Sequence, residues 1–167
     1  GGNRPCFIVA EAGINHNGDL NIAKKMIDSA KGCGADAIKF QTFKTEEFIS
    51  DPKRKYSYKT RGKIIKESMY EMFKRHEFSP DDYRVISDYC RKMDIIFFST
   101  PQNVSDLRIL MDIGIPAIKV GSDDLTNLPL LEYYAKQKAP IIISTGMSYI
   151  SEIEDAVNVI KKHNSRL

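Results

Sequence analysis

The sequence predicts an α/β protein with parallel strands, and three observations carry that prediction. Short apolar runs begin roughly 20 to 30 residues apart, the spacing of successive strand-helix units, except where one long polar stretch intervenes. Nearly every run is continuously apolar instead of alternating, so helices must cover the sheet. Each run also ends in polar residues at what would be the carboxyl edge of a parallel sheet. Five such units leave two architectures, a doubly wound open sheet or part of a (β/α)8 barrel. No GxGxxG or GxxxxGK[ST] turn follows the first run, which counts against the nucleotide-binding open sheets.

The first run, Phe7-Ile8-Val9-Ala10, is too short for a helix and suits a strand buried on both faces. It leads into Glu11, Asn15, His16 and Asn17, with Gly13 and Gly18 allowing the backbone to turn. Asp19 can cap a helix whose apolar positions are Leu20, Ala23, Ile27 and Ala30, stopped by Gly32 and Gly34. Residues 37–41 read as the second strand. From Thr42 to about Glu67 the chain reads as polar and irregular, and a loop of that length is usually functional or mobile. A helical pattern resumes near Ser68, and Ser79-Pro80 starts another helix with Tyr83, Val85, Ile86, Tyr89 and Cys90 inward.

Residues 95–100 form the third strand, ended by Pro101, and a short helix carries Leu107, Leu110 and Met111 inward until Gly114. Residues 117–120 form the fourth strand and lead into Gly121-Ser122-Asp123-Asp124; Asn127 caps the next helix. Residues 141–145 form the fifth strand. Ser151 and Glu154 have capping-box spacing before a stripe of Ile153, Val157 and Ile160.

Composition bounds the function. With 167 residues the chain suits one domain but falls short of the roughly 250 residues of a complete (β/α)8 barrel. Hydrophobic content of 42% and charged content of 28% are those of a globular protein, which excludes disordered and fibrous classes. The net charge is only +3. The basic stretch from Lys53 to Lys66 includes Tyr56 and Tyr58, but no second basic face or binding signature supports nucleic acid as a partner. Cys6, Cys33 and Cys90 are odd in number and never in CxxC spacing, which fits a reducing cytoplasm and no cysteine metal site. No run of about 18 apolar residues and no signal-peptide pattern indicates a membrane.

The strand ends carry the chemistry: Glu11, then Lys39 and Gln41, then Thr100, then Lys119 and Ser122, then Thr145. Two ammonium groups with several hydroxyls describe a pocket for a small anion, a phosphate with a carboxylate. Each residue also has a plainer role. The lysines can sit at a sheet edge with their heads in water. Thr100 and Ser122 can cap turns. Glu11 serves as a structural partner for a lysine, as a substrate-facing carboxylate, or as both. His16 suits a hydrogen-bonding loop role better than metal ligation, and His76 and His163 fall on helical segments away from the mouth, so the chain offers no convincing metal site.

AEAGINHNG at Ala10 to Gly18, KFQT at Lys39 to Thr42, FFSTP at Phe97 to Pro101, KVGS at Lys119 to Ser122 and ISTGM at Ile143 to Met147 resemble the successive strand-end motifs of the N-acetylneuraminate (sialic acid) synthase family. The resemblance covers nearly the whole chain, loosely only over Asp51 to Glu67. It implies a (β/α) barrel of TIM type, with strands one to five of eight present in residues 1–167. It implies condensation of phosphoenolpyruvate with an N-acylated amino sugar, giving a nine-carbon 2-keto acid and phosphate. By that similarity Lys39, Thr100, Lys119 and Ser122 bind phosphoenolpyruvate, while Glu11, the catalytic carboxylate, Gln41 and Asn15 face the sugar. A divalent metal, manganese or magnesium, and a cytoplasmic homodimer are also implied for the full-length protein.

The chain departs from the family pattern in lacking the metal-binding histidines of the last two strands and the C-terminal antifreeze-like domain. The expectation is therefore an N-terminal barrel portion without synthase activity of its own, with two unpaired sheet edges and exposed apolar surface. Two other functions compete: a lysine Schiff-base aldolase acting through Lys39 or Lys119, and a non-catalytic module that binds a phosphometabolite or a partner chain.

Overall fold

The computed structural model describes residue 3, residues 5–60 and residues 62–166. Five parallel strands and their helices follow one another as expected. β1 (Val9–Gly13), β2 (Ala37–Thr42) and β5 (Ile96–Pro101) form one parallel sheet in that order, and β6 (Ile118–Val120) and β7 (Ile141–Ile143) form a second parallel pair. β5 lies against β6, so the two sheets meet side by side. The helices α1 (Leu20–Gly32), α4 (Pro80–Lys92), α5 (Val104–Ile113), α6 (Leu128–Lys136) and α7 (Ile150–His163) pack against one another in chain order. Neighbouring strands therefore carry neighbouring helices. Between the two layers lies the core, in which Ile27, Ile38, Phe40, Ile86, Leu110 and Ile160 are fully buried.

Local chemistry sets the helix starts. The Asp19 carboxylate accepts from the N–H groups of Asn21 and Ile22, and Asn103 accepts from Asp106, satisfying donors that the first turn leaves open. Ser79 and Asp82 form a reciprocal capping box around Pro80. α7 starts earlier than Ser151: the Glu152 carboxylate accepts from the N–H of Tyr149, which makes Tyr149 the cap. Val85 is exposed rather than inward, while Tyr83, Ile86 and Cys90 on the same helix are buried.

Two further expectations require correction. Residues 42–67 are not irregular: α2 (Thr45–Phe48) is followed by an antiparallel hairpin of β3 (Lys55–Thr60) and β4 (Lys63–Ser68), which leads into α3 (Met69–His76). Tyr56, Tyr58, Ile65 and Glu67 share the half-buried face of this hairpin, a period-two pattern obscured by its polar composition. Gly62, at φ +78°, supplies the left-handed turn residue. The second correction concerns the first strand. It begins at Val9, and Phe7 and Ile8 are 56% and 54% exposed. β1 pairs with β2 alone among the described residues, so one edge of it is open. Ile142 in β7, at the other end of the strand series, is 46% exposed.

The loop after β1 is fastened by a close approach to α3. A Cβ on Gly18, where φ is +73°, would lie 2.3 Å from the carbonyl oxygen of Arg75, whereas Gly34, at φ +82°, faces open space. Gly18→Ala is expected to cost roughly 2–4 kcal/mol, combining left-handed strain with a backbone clash, against roughly 1–2 kcal/mol for Gly34→Ala. Chemical denaturation of the two variants measures the difference, and equal losses would refute the fastening.

Candidate functional site

Parallel register brings the polar strand ends together. Glu11 lies opposite Lys39, and Gln41 opposite Thr100. Lys39 forms an ion pair with Glu11, and its Nζ donates to Thr100 Oγ1 at 3.4 Å. The lysine side chain is 13% exposed and the glutamate 51%, so a nearly buried ammonium meets a carboxylate still open to water. A register irregularity between Glu11 and Gly13, with Gly13 at φ +52°, turns the chain here. The point where a Gly13 Cβ would stand lies 3.2 Å from Glu11 Oε1 and 3.9 Å from both Asn15 Nδ2 and Gln41 Nε2. These three side chains thus surround one bare patch of backbone.

Lys119 approaches from β6. Its Nζ donates to Ser144 Oγ and to the carbonyl of Val120, both at 2.5 Å. Burial lowers its pKa, and repulsion from Lys39 lowers it further. Two ammonium groups close enough to repel, with the strand that carries Thr100 between them, can share an anion, while the carboxylates of Glu11 and Asp123 partly offset their charge. Thr100 bridges the two sheets, its Cγ2 lying 3.7 Å from where a Gly121 Cβ would be. Ser122 lies over Gly146 of the next loop, 3.4 Å from its would-be Cβ.

The structure thus groups Glu11, Asn15, Lys39, Gln41 and Thr100, sets Lys119 beside them, and places Ser122 at the neighbouring strand end. Thr145 is exposed, and the hydroxyl that reaches Lys119 is that of Ser144. Register held the signal: Lys119 lies opposite Ile142, and the residue two further on shares its face. His76 is not remote from the mouth, since its Nε2 lies 3.3 Å from Asn17 Oδ1, beside the first loop.

The histidines do not present a metal site. His16 is fully buried, stacked on Phe78 at 4.0 Å, and its Nδ1 accepts from the N–H of Gly18. His76 Nδ1 lies 2.6 Å from the carbonyl of Met72. Among the described residues no cluster of three His, Cys, Asp or Glu side chains could hold a metal ion.

The NeuB family model matches residues 26–167. The chain is 44% identical over 99% of its length to the uncharacterized protein MJ1065 of Methanocaldococcus jannaschii, of which it covers 45%. It is 38% identical over 98% of its length to the N,N'-diacetyllegionaminic acid synthase of Legionella pneumophila, covering 46% of that enzyme. The crystal structure of the N-acetylneuraminic acid (sialic acid) synthetase of Leptospira borgpetersenii, in complex with citrate, superposes with a TM-score of 0.85 at 39% identity. That match covers 98% of this chain and 52% of that one. The chain belongs to the NeuB family and spans about half the length of the relatives it matches.

His16 supplies a pH test. Burial, with His76 nearby, lowers its pKa from 6.5 to about 4. Between those values the unfolded chain binds a proton that the folded chain refuses, so this group's contribution is present above pH 6.5 and is lost as pH falls through 4. At about 1.36 kcal/mol per pH unit the loss is about 3 kcal/mol. Buried Asp106 opposes it, because burial raises that carboxyl to about 7 and favours the folded state as pH falls. The readout is therefore the difference between wild type and His16→Asn: the wild type should lose more stability than the variant from pH 7 to pH 4. Parallel curves would refute this account of His16.

Proposed function

We propose, from its place in the NeuB family, that the full-length protein condenses phosphoenolpyruvate with an N-acylated amino sugar to a nine-carbon 2-keto acid and phosphate. The proposal takes this chain as strands one to five of an eight-stranded (β/α) barrel of TIM type. Support for that architecture comes from helices that pack in chain order along a strand series with exposed apolar residues, Phe7, Ile8 and Ile142, at its two ends.

The observation that carries the functional reading is the approach of Lys39 and Lys119 from the two sides of the Thr100 strand, close enough to repel, with Glu11 on the outer side of Lys39 and Ser144 on the outer side of Lys119. In this reading the two ammonium groups offset the charge of phosphoenolpyruvate, and Thr100, Ser122 and Ser144 donate directed hydrogen bonds to it. Gln41 and Asn15 orient the sugar, and Glu11, tied to Lys39, is the carboxylate that moves a proton on the sugar side. C3 of phosphoenolpyruvate attacks the open-chain aldehyde, water adds at C2, and phosphate leaves by C–O cleavage. The family resemblance also implies manganese or magnesium, which would polarise the aldehyde as a Lewis acid. We place its ligands in the half of the relatives' length that this chain does not span, so no step is assigned to it here. Small-molecule substrates, a homodimeric full-length enzyme and a cytoplasmic setting complete the proposal.

The depressed pKa of Lys119 favours one second reading, a Schiff-base aldolase, because a lysine that gives up its proton more readily is a better nucleophile. The full-length protein, supplied with phosphoenolpyruvate, N-acetylmannosamine and manganese, should release phosphate and a nine-carbon keto acid in equal amounts. Lys39→Met and Lys119→Met should each lower kcat/KM by about 100-fold or more. The 167-residue chain alone should form no product. Turnover by that chain, or a borohydride-trapped adduct of pyruvate on either lysine, would contradict the proposal.

A further inference from the structure

A second pocket, of about 530 Å3, adjoins the cluster around Gly13 and is lined by Asn15, Asn17, Tyr56, Tyr58, Arg75 and His76. Asn15 joins the two, since its amide lies at the same bare backbone patch as Glu11 and Gln41. We infer that this pocket receives the end of the amino sugar remote from its aldehyde, and that it takes that end uncharged. The inference rests on the synthase reading above.

Direction follows from the chemistry. The aldehyde carbon must meet the phosphoenolpyruvate methylene on the side of Lys39 and Lys119. The rest of the sugar then extends away from the lysines, and Asn15, shared by the cluster and the pocket, puts the pocket walled by the hairpin tyrosines next in line. The pocket walls fit a carbohydrate end. Tyr56 and Tyr58 stack at 5.3 Å between ring centres and present an apolar surface for C–H groups or an acyl methyl. Asn15 spends one amide N–H on the carbonyl of Ala12, leaving its own oxygen and second N–H for a hydroxyl or acylamino group. The Asn17 side-chain amide meets His76 Nε2 at 3.3 Å, which holds it at the pocket wall as a further polar group.

Charge decides the preference for a neutral end. Arg75, the one arginine on the wall among the described residues, is held by both oxygens of Glu67 at 2.9 and 3.0 Å, and Tyr58 donates to the same carboxylate at 2.7 Å. Its guanidinium is already matched in the bidentate geometry that a phosphate would need. A phosphorylated sugar end would have to displace Glu67 or lie beside it.

Tyr56 is the side chain to change, because its removal leaves the Tyr58–Glu67–Arg75 contacts in place. In the full-length enzyme, Tyr56→Ala should raise KM for N-acetylmannosamine at least tenfold, keep KM for phosphoenolpyruvate within twofold, and be rescued by Tyr56→Phe. The wild type should prefer N-acetylmannosamine to its 6-phosphate at least tenfold in kcat/KM. An unchanged sugar KM, an equal rise in both KM values, or a preference for the 6-phosphate overturns the inference. If the wild type condenses no acylated amino sugar, the synthase reading fails separately. Calorimetry with N-acetylmannosamine then decides for the pocket: binding that weakens at least tenfold in Tyr56→Ala supports it, and no binding or equal binding overturns it.

Discussion

The site depends on a cation placed inside a parallel sheet. Lys39 occupies the middle of β2, flanked by β1 and β5, where an unpaired ammonium would be costly. The in-register carboxylate of Glu11 on one side and the Thr100 hydroxyl on the other make that position tolerable. Lys119 repeats the arrangement one sheet away with Ser144 and a backbone carbonyl, but without a carboxylate partner. Glu11 and Asp123 act on Lys119 without pairing with it directly, so its ammonium is left for an anion to contact.

The surrounding architecture keeps these groups in place. β1, β2, β5, β6 and β7 deliver polar residues to one edge because parallel strands share a direction, and capped helices hold the strands from outside. The first loop is pinned twice, by Gly18 under the carbonyl of Arg75 and by His16 stacked on Phe78. Both pins tie the loop to the stretch that carries α3 and the hairpin, so the hairpin and the strand ends form one continuous surface.

Much of this was legible in the sequence. Continuous apolar runs ending in polar residues located the five strands, and their order placed Glu11, Lys39, Gln41, Thr100 and Lys119 at one edge. The hairpin was hidden because its alternating positions are filled by tyrosines, lysines and a glutamate, so hydrophobic periodicity does not register. Ser144 was hidden because only strand register tells it from Thr145. The position of His76 was beyond sequence reasoning, since it depends on how α3 folds back onto the first loop. Phe7 and Ile8 read as buried because a run of apolar residues says nothing of whether a neighbouring strand is present to cover it.

The central claim is that Lys39 and Lys119 hold one anion between them. Lysine side-chain NMR, with the Lys119 resonance assigned by Lys119→Arg, measures its titration with and without phosphoenolpyruvate. The account predicts that Lys119 titrates below an ordinary lysine in the free protein and shifts upward when the anion is bound, because the ligand's charge outweighs burial and repulsion from Lys39. A Lys119 titration unmoved by saturating phosphoenolpyruvate would contradict it.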